Sequence, residues 1–290
     1  MALLPIFEIL LANLIWGFGF VATIWALESF SWEQIFLYRF LLAGTTGLLI
    51  YLVFSRKNIK NYIKASFLPS IFLCLEIVFQ IFSLQFTKAT EGGFLFVTYI
   101  IMIPLLEYLL YKKYLPAKQF AWIIMGIIGS YLMVNGGEIS LGKGELTMLL
   151  SALCASAHVL AIDRIDKSDL NPFYLNVFQL LWGILLTSPF YFFVNHHIDS
   201  TMSINSIVGL LSVAFGSTLL AYFLQIKAQE KISPSMISIL FLVESTFSAI
   251  FAFFLLGERI TAIQWIGAIV ISLSAVAVSL DFIKSTDKTI

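Results

Sequence analysis

Two glutamates stand at the centres of long apolar runs: Glu76 at the midpoint of residues 66–86, and Glu244 one residue from the midpoint of 234–256. At bilayer depth a charged acid costs about 2.5–3.5 kcal/mol on insertion scales. Such a side chain faces a cavity, pairs with another group or carries its proton. Both glutamates are therefore candidates for contact with a solute or a proton, and Glu244 has the alternative of a hydrogen bond between helices. Gln80 and Ser83 follow Glu76 at i+4 and i+7 and extend a polar stripe along one helical face, which must turn away from hydrocarbon. Ser151, Cys154, Ala155 and His158 form a second one-sided set. His158 can act as solute contact or proton relay, or can bond a backbone carbonyl. Asn13, Trp16, Tyr99, Tyr222 and Gln225 add hydrogen-bonding and aromatic groups that can stack on planar or cationic solutes. Arg39 is deep enough to need a partner, and either snorkelling or gating accounts for it. The site expected from the residues is thus Glu76, Gln80, Tyr99, His158 and Glu244, with Trp16, Asn13 and Tyr222 beside them.

These residues need helices to carry them. Ten apolar stretches of about 18–24 residues can each cross a bilayer core. They lie near 6–27, 34–54, 66–86, 92–111, 117–135, 145–162, 172–194, 204–225, 234–256 and 261–281. Backbone groups in hydrocarbon must pair within their own segment, so each stretch is expected to be helical. The chain is 60% hydrophobic and 12% charged, which excludes a water-soluble globular fold. Its zero net charge argues against a nucleic-acid partner. Cys74 and Cys154 both fall inside spans and read as apolar packing residues. No ligand spacing suggests a metal, no enzyme signature appears and no cofactor is expected. No cleavable signal peptide is expected, since Met1 to Phe7 lacks a positive region.

With the N-terminus inside, the inner loops and tail hold 13 of the 17 Lys and Arg residues and the outer loops hold 3. The positive-inside rule then places both termini in the cytoplasm. The bias inverts between the two sets of five spans: Arg56, Lys57, Lys60 and Lys64 follow span 2, whereas the matching loop after span 7 has no Lys or Arg. An odd number of spans per copy turns the second copy upside down, the pattern of transporters built from inverted repeats. The expected units are residues 1–137 and 138–290, joined at the glycines 136, 137, 142 and 144. Weak internal similarity accompanies this. Leu109 to Lys113 precedes Leu255 to Arg259 by 146 residues, and Ala117 and Gln119 precede Ala262 and Gln264 by 145. His196 and His197 fall in an outer loop and read as solvated. Gly44, Gly47, Gly126, Gly129, Gly209 and Gly216 read as close-packing positions between helices.

Several motifs together resemble the EamA type of the drug/metabolite transporter superfamily. They are Trp16-Gly17-Phe18-Gly19-Phe20, Tyr38-Arg39-Phe40, Gly92-Gly93-Phe94-Leu95 with Ile103-Pro104, Lys231-Ile232-Ser233-Pro234-Ser235, and Leu255-Leu256-Gly257-Glu258-Arg259-Ile260 with Gln264-Trp265-Ile266-Gly267. The resemblance spans nearly the whole chain. It implies an all-α integral membrane fold of ten transmembrane helices in two inverted five-helix repeats, with a cavity lined by spans 1, 3, 4, 6, 8 and 9. It also implies transport of small organic solutes, often export of amino acids or other metabolites. Two departures stand out. Glu244-Ser245 replaces a usual Glu-Pro, which puts a kink in span 9 in question, and Tyr111-Lys112-Lys113 replaces a usual Gly-Glu-Arg. Pro104 is the expected hinge of span 4.

The reading that follows is a secondary transporter, an exporter at a bacterial inner membrane, working by alternating access with protons as a candidate coupling ion. Its partners would be a small solute and the lipid bilayer, and it would be a monomer or weak dimer. An uncoupled uniporter or exchanger of cationic solutes is the alternative. A lipid scramblase or intramembrane enzyme is more remote.

Overall fold

In a computed structural model of the chain, residues 3–55, 59–133, 142–192 and 202–287 are described. Ten long helices fill them: α1 Leu3–Leu27, α2 Trp32–Phe54, α3 Ile59–Ser83, α4 Ala89–Tyr111, α5 Ala117–Met133, α6 Lys143–Asp163, α7 Pro172–Phe192, α8 Ile204–Ala228, α9 Pro234–Leu256 and α10 Ala262–Asp287. Each corresponds to one expected span. The largest difference is at α3, which starts seven residues early and takes Lys60 and Lys64 into its first turns. Helical pairing need not stop at the hydrocarbon edge, and both lysines keep their heads exposed. The expected join between the units, with Gly136 and Gly137, lies outside the described residues, as do Arg56, Lys57, His196 and His197.

Local signals explain where helices start. Ser31 and Gln34 form a capping box at α2, with the Ser31 N–H donating to Gln34 Oε1 over 2.8 Å. Pro172 and Pro234 occupy first-turn positions, where a missing N–H costs nothing. The apolar surface is turned outward, with Val53, Phe54 and Phe254 all more than 70% exposed. The interior instead buries Arg39, Glu76, His158 and Glu244. That distribution suits hydrocarbon as the outer solvent.

Packing follows the two-repeat plan. α1 packs against α8 and α9, while its counterpart α6 packs against α3 and α4; α2 meets α7, α4 meets α9 and α5 meets α10. Glycine makes some of these approaches possible. A Cβ at Gly209 of α8 would lie 2.3 Å from the Ala22 carbonyl oxygen of α1, and one at Gly129 of α5 would lie 3.0 Å from the Gly267 carbonyl oxygen of α10.

Three of the central helices are irregular. α4 breaks at Val97–Thr98 and α9 at Leu242, while Ser212–Ala221 of α8 is π-helical. The break in α4 precedes Pro104 by more than a turn. α9 breaks although Pro is replaced by Ser245. Freed carbonyls find side chains instead: Ser245 Oγ donates to the Leu242 carbonyl over 2.8 Å and Asn13 Nδ2 to that of Leu240 over 2.7 Å. Trp16 Nε1 donates to the Ser217 carbonyl of the π segment over 3.1 Å. Irregular backbone within a membrane survives only with such partners.

Candidate functional site

The broken helices surround one central cavity. It is reached by α1 (Trp16, Gly19, Thr23), α2 (Arg39), α3 (Glu76, Gln80), α4 (Phe96, Tyr99), α6 (Ala155, His158), α8 (Ser217, Tyr222, Gln225) and α9 (Phe241, Glu244). The helices are those expected, with α2 added through Arg39. The room inside for a water-sized sphere is about 30 Å³. One water needs roughly 10–15 Å³, so the space left between these side chains is that of about two or three waters.

Each acid is held by a tyrosine of the other repeat. Tyr222 Oη of α8 donates to Glu76 Oε1 over 2.6 Å, and Tyr99 Oη of α4 donates to Glu244 Oε2 over 3.2 Å. The partners are 146 and 145 residues apart. That spacing is close to the offset between repeats, since α4 and α9 share both bounds at 145 residues, as do α3 and α8. Each glutamate therefore bonds to the tyrosine at, or one residue from, its own equivalent position. The offset also corrects the sequence alignment at the end of α4. Left-handed Lys112 (φ 55°) and Gly257 (φ 68°) are 145 residues apart, so Lys113 rather than Lys112 stands opposite Glu258.

Aromatic rings bridge the two pairs. Trp16 meets Tyr222 edge-on at 5.1 Å between centroids and Phe241 at 5.6 Å, and Phe241 meets Tyr99 at 5.4 Å. Such contacts add about 0.5–1.5 kcal/mol each beyond burial and fix the walls. Around Glu76 the setting is polar. His158 Nδ1 lies 4.0 Å from Glu76 Oε2, too long for a hydrogen bond. Its Nε2 is 2.9 Å from Gln179 Oε1 of α7. Arg39 Nε donates to Thr218 Oγ1 over 2.8 Å, and Ser151 Oγ supports α3 through the Glu76 backbone carbonyl over 2.7 Å. Glu76 Oε2, Arg39 Nη1 and Ser217 Oγ are buried with no hydrogen-bond partner among the described residues. Buried polar atoms of this kind are rare and call for a reason. Here all three belong to the cavity wall, where a polar solute or water can satisfy them.

Of the eight expected site residues, seven line the cavity: Trp16, Glu76, Gln80, Tyr99, His158, Tyr222 and Glu244. Asn13 does not; it is fully buried and its amide holds the break in α9. Ser83 leaves the polar stripe to donate to the Gly144 carbonyl over 2.7 Å. Phe96, Phe241 and Ser217 went unmarked because Phe and Ser are common throughout the spans. Gln179, which holds His158, was open to the same signal as Gln80: one amide inside an apolar run. Among the described residues no group of three His, Cys, Asp or Glu could hold a metal ion.

Known proteins bear directly on this geometry. The sequence model of the EamA-like transporter family matches residues 3–135 and again residues 142–280. An uncharacterized transporter of Archaeoglobus fulgidus is 29% identical over 271 residues, covering 93% of this chain and 84% of its own. Another, from Haemophilus influenzae, is 26% identical over 143 residues, 47% of this chain and 84% of its own. A crystal structure at 14% identity superposes with a TM-score of 0.74 over 98% of both chains, which shows the shared fold.

Proposed function

Because this chain belongs to the EamA-like transporter family and is a multi-pass membrane transporter, we propose that it moves a small organic solute through the central cavity by alternating access, coupled to protons, with Glu76 and Glu244 as the acids that take the solute or the proton. The observation that carries this reading is the pair of buried acids from opposite repeats, each held by a tyrosine across the cavity. A transporter needs a site that both halves share, so that rocking one half against the other exposes it to either face. We assign residues 1–137 and 138–290 as the rocking units, with both termini cytoplasmic from the basic-residue bias and export as the direction.

The solute chemistry follows from the wall. Glu76 Oε2 offers an acceptor, Arg39 Nη1 a donor, and Trp16, Tyr222 and Phe241 offer ring faces and edges. An ammonium beside a carboxylate and aromatic rings is favourable, which suits amino acids and other aminated metabolites. In proteoliposomes carrying a pH gradient, uptake of an amine-bearing metabolite should move protons in the opposite direction, because an ammonium and a proton compete for the same carboxylate. Unchanged transport and pH dependence in both Glu76→Gln and Glu244→Gln would sink the coupling. A second reading, uncoupled exchange of cationic solutes, rests on the same aromatic walls. Counterflow that runs at full rate without a proton gradient, and moves no protons, selects it.

A further inference from the structure

Away from the cavity, two carboxylates sit at opposite ends of the α4–α9 pair, and each grips the first turn of the other repeat's helix. Glu258, just past the C-terminus of α9, accepts from the Ala89 N–H over 3.1 Å and the Thr90 N–H over 3.2 Å, and also bonds the Thr90 hydroxyl. These are orphan donors at the N-terminus of α4, where a negative charge is favoured. At the other end Glu107, in the last turns of α4, bonds the hydroxyl of Ser235 at the N-terminus of α9 and accepts from Lys113 Nζ over 2.6 Å. Glu107 and Ser235 are both 3% exposed.

The two ends are equivalent in backbone but not in chemistry. Gly257 and Lys112 end their helices in the same left-handed conformation, and the next residue is Glu258 in one repeat and Lys113 in the other. Where the second repeat places its carboxylate directly, the first places a lysine, which reaches back to hold Glu107. The carboxylate that meets the first-turn hydroxyl therefore comes from position 258 at one end and from position 107 at the other. Thr90 and Ser235 are themselves 145 residues apart, so the same crossed contact is made at both ends by acids from non-equivalent positions.

We propose that Glu258 and Glu107 are the two gate latches of the transport cycle: each must release its helix N-terminus for the cavity to open at its own end. Both are engaged here. They touch no solute and act through helix position. The inference rests on alternating access in the proposed function. Because α4 and α9 run in opposite directions across the membrane, the latches lie at opposite faces, and loosening them should have opposite consequences.

The test is labelling from each side. Ser217→Cys places a thiol on the cavity wall of the full-length protein, with Cys74 and Cys154 replaced by alanine. A membrane-impermeant maleimide is applied to right-side-out and to inverted vesicles. Glu258→Gln should speed labelling from one face by about tenfold, the equilibrium factor of one charge-assisted hydrogen bond, and Glu107→Gln should do so from the other. Thr90→Val, which leaves the acid in place, should repeat the Glu258→Gln pattern more weakly. Equal labelling of all variants from both faces, or acceleration at the same face in both acid variants, overturns the latches. Transport by the unsubstituted protein is measured alongside: its absence for every amine-bearing solute counts against the proposed function, whereas its presence with unmoved labelling counts against the latches alone. If Glu258→Gln does not fold, the Thr90→Val and Glu107→Gln pair decides by the same opposition of faces.

Discussion

The two glutamate–tyrosine pairs are copies of one arrangement placed in unlike surroundings. Glu76 and Tyr222 meet over 2.6 Å beside His158, with Arg39, Gln80 and Gln225 in the same wall. Glu244 and Tyr99 meet over 3.2 Å beside Phe241, and Tyr99 also packs edge-on against Phe96 at 5.2 Å. The two acids thus sit at matching places in the two repeats, with different groups around each. A carboxyl with an unpartnered oxygen among donors and amides is suited to solute recognition. One enclosed by rings with a single hydroxyl partner is suited to holding or releasing a proton.

If that division of labour holds, the acids should fail differently. Glu76→Gln should lower kcat/KM for the transported solute by about 10–100-fold, the range of a lost charge-assisted bond, mainly through KM. Glu244→Gln should cost about tenfold in rate with KM little changed, and should flatten the pH profile, because the amide cannot exchange a proton. Identical kinetic signatures for the two variants would erase the distinction. The tyrosines give a gentler version. Tyr222→Phe removes a short bond and leaves both oxygens of Glu76 without their donor, so it should destabilise the detergent-solubilised protein by about 1–3 kcal/mol. Tyr99→Phe removes a longer bond and should cost less, about 0.5–1.5 kcal/mol. Thermal unfolding monitored by tryptophan fluorescence ranks them. The smallest contrast lies at the paired helix ends. Lys112→Gly should stabilise by about 1 kcal/mol, since glycine adopts the left-handed cap without the Cβ penalty, whereas Gly257→Ala should cost a similar amount. Equal melting temperatures for these two variants would mean that the shared φ does not matter.

Much of the site could be read from isolated polar residues in apolar runs. Glu76, Gln80, His158 and Glu244 are conspicuous because hydrocarbon penalises each of them. Tyr99 and Tyr222 could be marked as candidates, but not matched, since a tyrosine is ordinary in such helices. Asn13 shows the limit of the criterion: an amide in a span needs a partner, and the partner here is a backbone carbonyl exposed by a broken helix rather than a solute. The break in α4 at Val97–Thr98 carries no such local signal, since Pro104 lies six residues further on, inside the helix.

What the amino-acid order alone determined is the number of helices, their approximate ends, the inverted charge pattern and the depth of the two acids. Those follow from the thickness and polarity of the bilayer, which act on each segment separately. Which acid meets which tyrosine, where α4 and α9 break, and how Lys113 turns back to hold Glu107 were decided only in the folded chain. These depend on the direction in which each side chain leaves its helix and on contacts between residues up to 227 positions apart, and no local pattern encodes either.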